Sequence, residues 1–271
     1  MTTVSVPTRV LPPMLLDARR AARVLERNVM AYRRGWVFLV SGFFEPLFYL
    51  FSIGVGISKL LTTHLHAPSG ALVTYTAFIA PAMLASSAMN GTILDSTFNM
   101  FFKLKYAKTY DAMLSTPVGV NDIALGEMGW ALIRAGLYAT SFLIVMAALG
   151  LVHSWWAVAA LPAAVLIGFT FAALGMAGTS YMRGWQDFQY VTLFVLPLFL
   201  FSATFYPLSR YPGWLRFVVE ATPLYHGVAL LRALVLGGAG VADLGHVAYL
   251  FGLGAICLAV TTRRLQRLLL R

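Results

Sequence analysis

FSATFYPLSRYPGWLRFVVEATPLYHGVALLR, residues 201–232, fits neither of the two things that so apolar a stretch usually is. Trp214, Leu215, Phe217, Val218 and Val219 are too hydrophobic for a solvated loop, while Pro207, Pro212 and Pro223 interrupt the run too often for an unbroken span. Pro212 suits the first position of a helix, because its missing N–H would be unbonded there anyway. Thr222-Pro223 then breaks the chain, and a helical period resumes over 224–235 until Gly237-Gly238. Broken backbone survives at membrane depth only where protein or a water-filled cavity satisfies its polar groups. Residues 207–240 therefore predict a re-entrant helical hairpin, with a surface-lying amphipathic helix as the alternative.

Working outward, the rest of the chain reads as membrane. Hydrophobic residues make up 59% of the 271 and charged residues 11%, against about 45–50% and about 25% in soluble chains. That balance excludes a soluble enzyme or a nucleic-acid-binding domain, despite the net charge of +10. Six apolar runs approach or exceed the roughly 20 residues a helical span needs: 36–61, 71–94, 123–150, 155–182, 188–206 and 244–262. The fold class expected is all-α integral membrane. It divides into an N-terminal segment (1–35), a six-helix transmembrane domain (36–262) and a short tail (263–271). Residues 1–13 have no apolar signal core, so no cleaved leader is expected.

The basic residues set the topology. With the N-terminus inside, fifteen Lys and Arg fall on the cytoplasmic side and four outside, with Arg134 inside a span; both termini are then cytoplasmic. Residues 14–34 are helical in period, with Leu15, Ala18, Ala22, Leu25, Val29 and Tyr32 on one stripe and arginines on the other faces. That pattern predicts a helix lying in the membrane interface.

Few residues suit chemistry. The four lysines follow Ser58, Phe102, Leu104 and Ala107, so no phosphate-binding Gly-Lys loop exists. His64 and His66 form an isolated pair in an outer loop, and no catalytic or metal-ligating set is expected. Charges inside spans are the better lead, because they are costly and usually face the bundle interior. Glu45, Glu127 and Arg134 are the three. Glu45 and Arg134 lie at similar depth in the first and third spans and are expected to pair, while Glu127 and Arg134, seven apart, share one helix face. A pairing that fixes packing and a lining of the transport path are both open. Small residues at 168, 172, 175 and 178 predict close helix packing, and Pro46 and Pro197 predict kinks.

Between the second and third spans (95–122) lies KLKYAKTYDAMLSTPVGVND, residues 103–122. Residues 106–114 can form a short helix, Pro117 breaks the chain, and Asn121 or Asp122 can cap the next span. Such a helix suits docking of a partner; a plain linker is the alternative.

Two of these stretches carry a family resemblance. FYPLS, PGWL, TPLYH and the closing ALLR within 201–232 resemble the hallmark region of type-2 ABC exporter permeases. YDAMLSTPV (110–118) is similar to that family's stretch before its third helix, and FEPLFYLFSIGVGI (44–57) to the branch of nodulation lipo-oligosaccharide exporters and relatives of daunorubicin exporters. The resemblance covers nearly the whole chain. It implies a multi-pass subunit of the bacterial inner membrane that pairs with a second permease copy, a homodimer in preference to a heterodimer, and binds two copies of a separate cytoplasmic ATPase. ATP and Mg would sit on that partner, and this chain would bind no cofactor. The expected ATPase contact is Tyr106, Tyr110, Asp111, Met113, Leu114, Thr116 and Pro117, with Tyr110, Met113 and Leu114 as an exposed apolar patch. The expected hairpin residues are Pro207, Pro212, Gly213, Trp214, Pro223, Tyr225 and Arg232. The substrate implied is amphipathic, such as a glycolipid or lipid-linked saccharide, with a hydrophobic drug second. A secondary transporter or an intramembrane transferase would need internal repeats or catalytic carboxylates, and neither is evident.

Overall fold

A computed structural model describes residues 18–32, 44, 47–48, 50–56 and 65–270. Most of the expected first span, with Glu45 and Pro46, lies outside the described residues. In chain order the elements are helix α1 (Ala18–Tyr32), a two-stranded antiparallel hairpin of β1 (Leu65–His66) and β2 (Leu72–Val73), and α2 (Tyr75–Leu94). A π turn (Asp95–Asn99) runs on into α3 (Met100–Lys105), and α4 (Thr109–Leu114), α5 (Val120–Ala148), α6 (Ala160–Thr179) and α7 (Phe188–Phe201) follow. The chain closes with α8 (Gly213–Glu220), α9 (Pro223–Leu236) and α10 (Asp243–Leu269).

Four of the described helical segments are long and apolar enough to cross a membrane: Tyr75–Lys105, Val120–Ala148, Trp155–Thr179 and Asp243–Leu269. The α8–α9 pair, bent by 84° at its break, makes a fifth if counted as one. The expected 188–206 span is shorter than its sequence suggests. α7 has 14 residues, about 21 Å at helical rise, where about 30 Å is needed to cross. The helix stops at Ser202, and Ala203 turns the chain with φ of +55°.

The long helix Tyr75–Lys105 is the core. Of its most apolar stretch 89% is buried, against 17–56% for the other three, as expected of a helix that is apolar and small all round. α5, α6 and α9 pack around α2, and α10 packs on α6. The helix overruns its expected end at Leu94 by a further π turn and α3. Asp95 and Lys103 read as the start of a loop but are buried here against α5. The small-residue stripe of α6 divides by function: Gly175 sits directly on Ser96 of the π turn, where a side chain would collide, while Gly178 faces open space.

α1 departs from its expected register. Val24 and Asn28 are its buried positions, while Ala22 and Val29 of the expected stripe are exposed. The helix crosses the start of α5, and a Cβ built on Gly126 would stand 2.5 Å from Val24 Cβ and 3.1 Å from the Ala21 carbonyl. Gly129, one turn on, has ordinary clearance to Leu25 at 3.6 Å. Gly126→Val should therefore lever α1 away and cost about 1–3 kcal/mol, the usual penalty of overpacking. Gly129→Ala should be nearly neutral. Thermal unfolding in detergent, with proteolysis of α1 as a second readout, checks both; equal stability of the two variants would show that the crossing is loose.

Candidate functional site

At one end of the bundle α1, α3, α4, the α6–α7 turn and the last turns of α10 come together, and most of the basic residues gather there. Gln266 of α10 donates to Asn121 at the start of α5 (3.3 Å), and the Arg264 guanidinium lies 4.1 Å over the Tyr181 ring. Asp122 caps α5 as expected, its carboxylate accepting the Gly119 N–H at 2.9 Å.

Two buried ion pairs join the long helix to α5. Lys103 Nζ lies 2.8 Å from both Glu127 carboxylate oxygens and donates to Asn28 Oδ1 of α1 at 2.9 Å. Deeper in the bundle, Asp95 meets Arg134 at 2.6 Å, Asn99 donates to Asp95 at 3.2 Å, and Arg134 donates to the Tyr138 hydroxyl at 3.0 Å. Glu127 and Arg134 do share a face of α5, as their spacing requires. Asp95 and Lys103 are eight apart, a separation that would put them out of line on a regular α-helix. The π turn between them closes i→i+5 bonds and takes more residues per turn, which brings both to the face that meets α5. Glu45 lies outside the described residues, and its expected pairing with Arg134 lies outside them with it.

Tyr110 overturns one expectation. Offered by the sequence as part of an exposed docking patch, it is completely buried, and Met113 and Leu114 are half-buried. Lys108, with φ of +45°, turns the chain back so that α4 begins at Thr109 rather than Tyr106. This reversal points the Tyr110 ring into the junction beside Glu127. Burial first, and then the charges of Glu127 and Asp95, push the phenol pKa well above its ordinary value, with Arg27 opposing them. The hydroxyl therefore keeps its proton throughout the physiological range. Of the expected contact residues, Tyr106, Asp111, Thr116 and Pro117 are exposed.

A cavity of about 730 Å³ opens between α6 and α7. Ile93, Phe171, Leu174, Val191, Phe194 and Leu198 make its walls apolar; Arg183, Asp187 and Tyr190 stand at the basic end, and Pro223 and Leu253 lie at the other. Asp187 accepts the backbone N–H groups of Arg183 and Gly184, and those bonds lower its pKa.

The expected hairpin residues are spread over this far region. Pro207 and Pro212 precede short helical turns, Gly213 starts α8, Trp214 is exposed, and Pro223 opens α9, where Thr222 caps the helix. Tyr225 stands edge-on to His226 and His246. Arg232 is buried with its guanidinium 3.8 Å over the Phe78 ring and donates to the carbonyls of Phe78, Ala203 and Thr204. It thereby ties α9 to α2 and to the chain leaving α7. Sequence reading missed Asp95, Lys103 and Asn28; the available signal was that Asp95 and Lys103 complement Arg134 and Glu127 in sign and order.

Removing one member of a buried pair strands the other charge, whereas replacing both does not. Lys103→Met or Glu127→Met alone should cost about 3–5 kcal/mol, and the two together markedly less than the sum. Unfolding midpoints of the four proteins of the cycle measure this; strict additivity would show that the pair is not coupled.

Comparison with known proteins places these features. The ABC-2 type transporter family profile matches residues 21–236. Nodulation protein J of Rhizobium leguminosarum bv. trifolii is 33% identical over 256 residues, covering 92% of this chain and 93% of its own length. The Rhizobium meliloti protein of the same name is 31% identical over 236 residues, with 86% of each chain covered. That of Bradyrhizobium diazoefficiens is 31% identical over 248 residues, covering 90% of this chain and 89% of its own. Matched from within its first helix through the end of α9, this membrane protein belongs to the ABC-2 type transporter family.

Proposed function

We propose that this chain is the membrane-spanning permease subunit of an ATP-driven exporter, powered by two copies of a separate ATPase on which ATP and Mg bind. It works as a dimer, a homodimer in preference to a heterodimer. Six segments cross the inner membrane with both termini cytoplasmic, α7 completing its crossing with the residues that flank the helix, and 207–240 forms the outer re-entrant hairpin. The gathering of basic residues at one end supports this orientation.

The observation that carries the reading is α4. A short helix, exposed at Asp111 and followed by exposed Thr116 and Pro117, sends Tyr110 inward beside Glu127 of the Glu127–Lys103 pair. An ATPase pressing on the exposed side displaces a group lodged between three elements, so its motion reaches α1, α3 and α5 together. The substrate is an amphipathic molecule such as a glycolipid or lipid-linked saccharide. Its acyl chains suit the apolar cavity wall, and its polar head suits the Arg183–Asp187–Tyr190 mouth. The almost wholly apolar wall favours a hydrophobic drug as the second reading.

Docking and transmission separate by mutation. Asp111→Lys with Thr116→Glu should abolish co-purification of the ATPase and leave thermal stability unchanged, since both side chains are exposed. Tyr110→Phe should keep the ATPase bound while lowering transport per ATP hydrolysed. Retention of the ATPase by the first variant would move the docking surface elsewhere. In proteoliposomes holding permease and ATPase, a lipid-linked saccharide probe should be carried only with ATP. Carriage of a hydrophobic dye but not of the saccharide would decide for the drug reading.

A further inference from the structure

α7 forms one wall of the cavity and, among the described residues, packs on the core through Val195, Leu198 and Phe199. Its Tyr190, Leu193, Phe194 and Leu196 are each more than half exposed. Its firm attachments are at its ends. At the far end Ser202 Oγ hydrogen-bonds Thr222 Oγ1 at 3.0 Å, beside the α8–α9 break. At the near end five aromatic rings interlock. Phe188, in the first turn of α7, stacks on Phe98 with centroids 4.1 Å apart and an interplanar angle of 10°, and meets Phe101 edge-on at 5.1 Å. Trp185 lies 5.2 Å from Phe188 and 6.0 Å from both Phe101 and Tyr106.

A ring of aromatics at a membrane interface ordinarily anchors helices at headgroup level. Here Phe101 and Phe188 are turned inward, with 1% and 7% exposure, and the rings bridge the end of the long helix to the start of α7. One side of the cluster, Phe98 through Tyr106, leads directly into α4. The other side opens α7 and shares its turn with Arg183 and Asp187 at the cavity mouth.

We infer that the Trp185–Phe188 turn is the lever by which movement of the α3–α4 segment swings α7 and opens or shuts the cavity, making Trp185 and Phe188 positioning residues for transport. This rests on the reading of α4 as the ATPase contact. Aromatic pairs prefer a few offset and edge-to-face arrangements, so a shift of Tyr106 and Phe101 is passed on to Trp185 and Phe188 rather than absorbed by sliding. Held at Thr222 at one end and by the aromatic cluster at the other, α7 is placed to follow that cluster when it shifts.

The test uses the complete permease–ATPase complex. A fluorescent probe is attached at F194C in a C257S background, and transport is assayed separately in probe-free protein. The variants are W185A/F188A, the milder W185L, which keeps apolar bulk, and the aromatic replacement W185F/F188Y. Both non-aromatic variants should retain ATPase co-purification and ATP hydrolysis, lose the ATP-driven change at residue 194, and fall roughly tenfold or more in transport, the effect of losing one or two ring contacts. The aromatic replacement should restore both readouts. A normal response at residue 194 with normal transport in W185L would overturn the lever. So would loss of the ATPase from W185L, which would put Trp185 in the docking surface instead. A wild-type complex with ATPase bound but no ATP response at residue 194 would overturn the lever alone if transport is still ATP-driven; absent ATP-driven transport, the exporter reading falls and the lever with it.

Discussion

An ammonium and a carboxylate taken out of water hold together only if each finds the other at hydrogen-bond distance, and that requirement organises the basic end of this protein. Lys103 and Glu127 meet this requirement at 2.8 Å, and Asn28 supplies the lysine with a further acceptor. Because the three residues come from α3, α5 and α1, none of these helices can move apart from the other two without leaving a buried charge exposed to apolar surroundings. Tyr110 closes the same site from α4. A short helix that would be marginal alone is thereby made part of the bundle.

The long helix Tyr75–Lys105 carries this constraint through the protein. Its lower part supplies Asp95 and Lys103, and its upper part supplies Phe78, over which Arg232 stacks. Twenty-five residues, roughly 37 Å at helical rise, thus separate the junction beside α4 from the arginine that holds α9 and the end of α7. Both ends of the helix are tied by buried cations, and the middle is sealed by small residues packed on all sides. Such a helix behaves as a beam.

The architecture was legible wherever composition or periodicity forced a single answer. Apolar length marked the helices at 75–94, 120–148, 155–179 and 243–269, and Pro212, Thr222-Pro223 and Gly237-Gly238 marked the ends of α8 and α9 within a residue or two. The spacing of Glu127 and Arg134 on one helix face was likewise readable. The family could be seen in residues 201–232 because FYPLS, PGWL, TPLYH and ALLR resemble its hallmark region.

What remained hidden depended on groups distant in the chain. Nothing local to Asp95 or Lys103 says that they lie within a helix; read alone they are the polar start of a loop, and only α5 with its two complementary charges makes their burial affordable. The π turn that aligns them is equally invisible, since its sequence DSTFN carries no helix-specific signal. Tyr110 looked exposed because a short helix over 106–114, between two spans, should face water, yet the left-handed turn at Lys108 reverses the chain and brings the residue beside Glu127. Composition and period thus determined which segments are helices in a membrane, because burying backbone and apolar side chains is a local demand. Partner choice among charges was decided only by the tertiary structure, because electrostatic compensation inside a low-dielectric bundle depends on which helices touch.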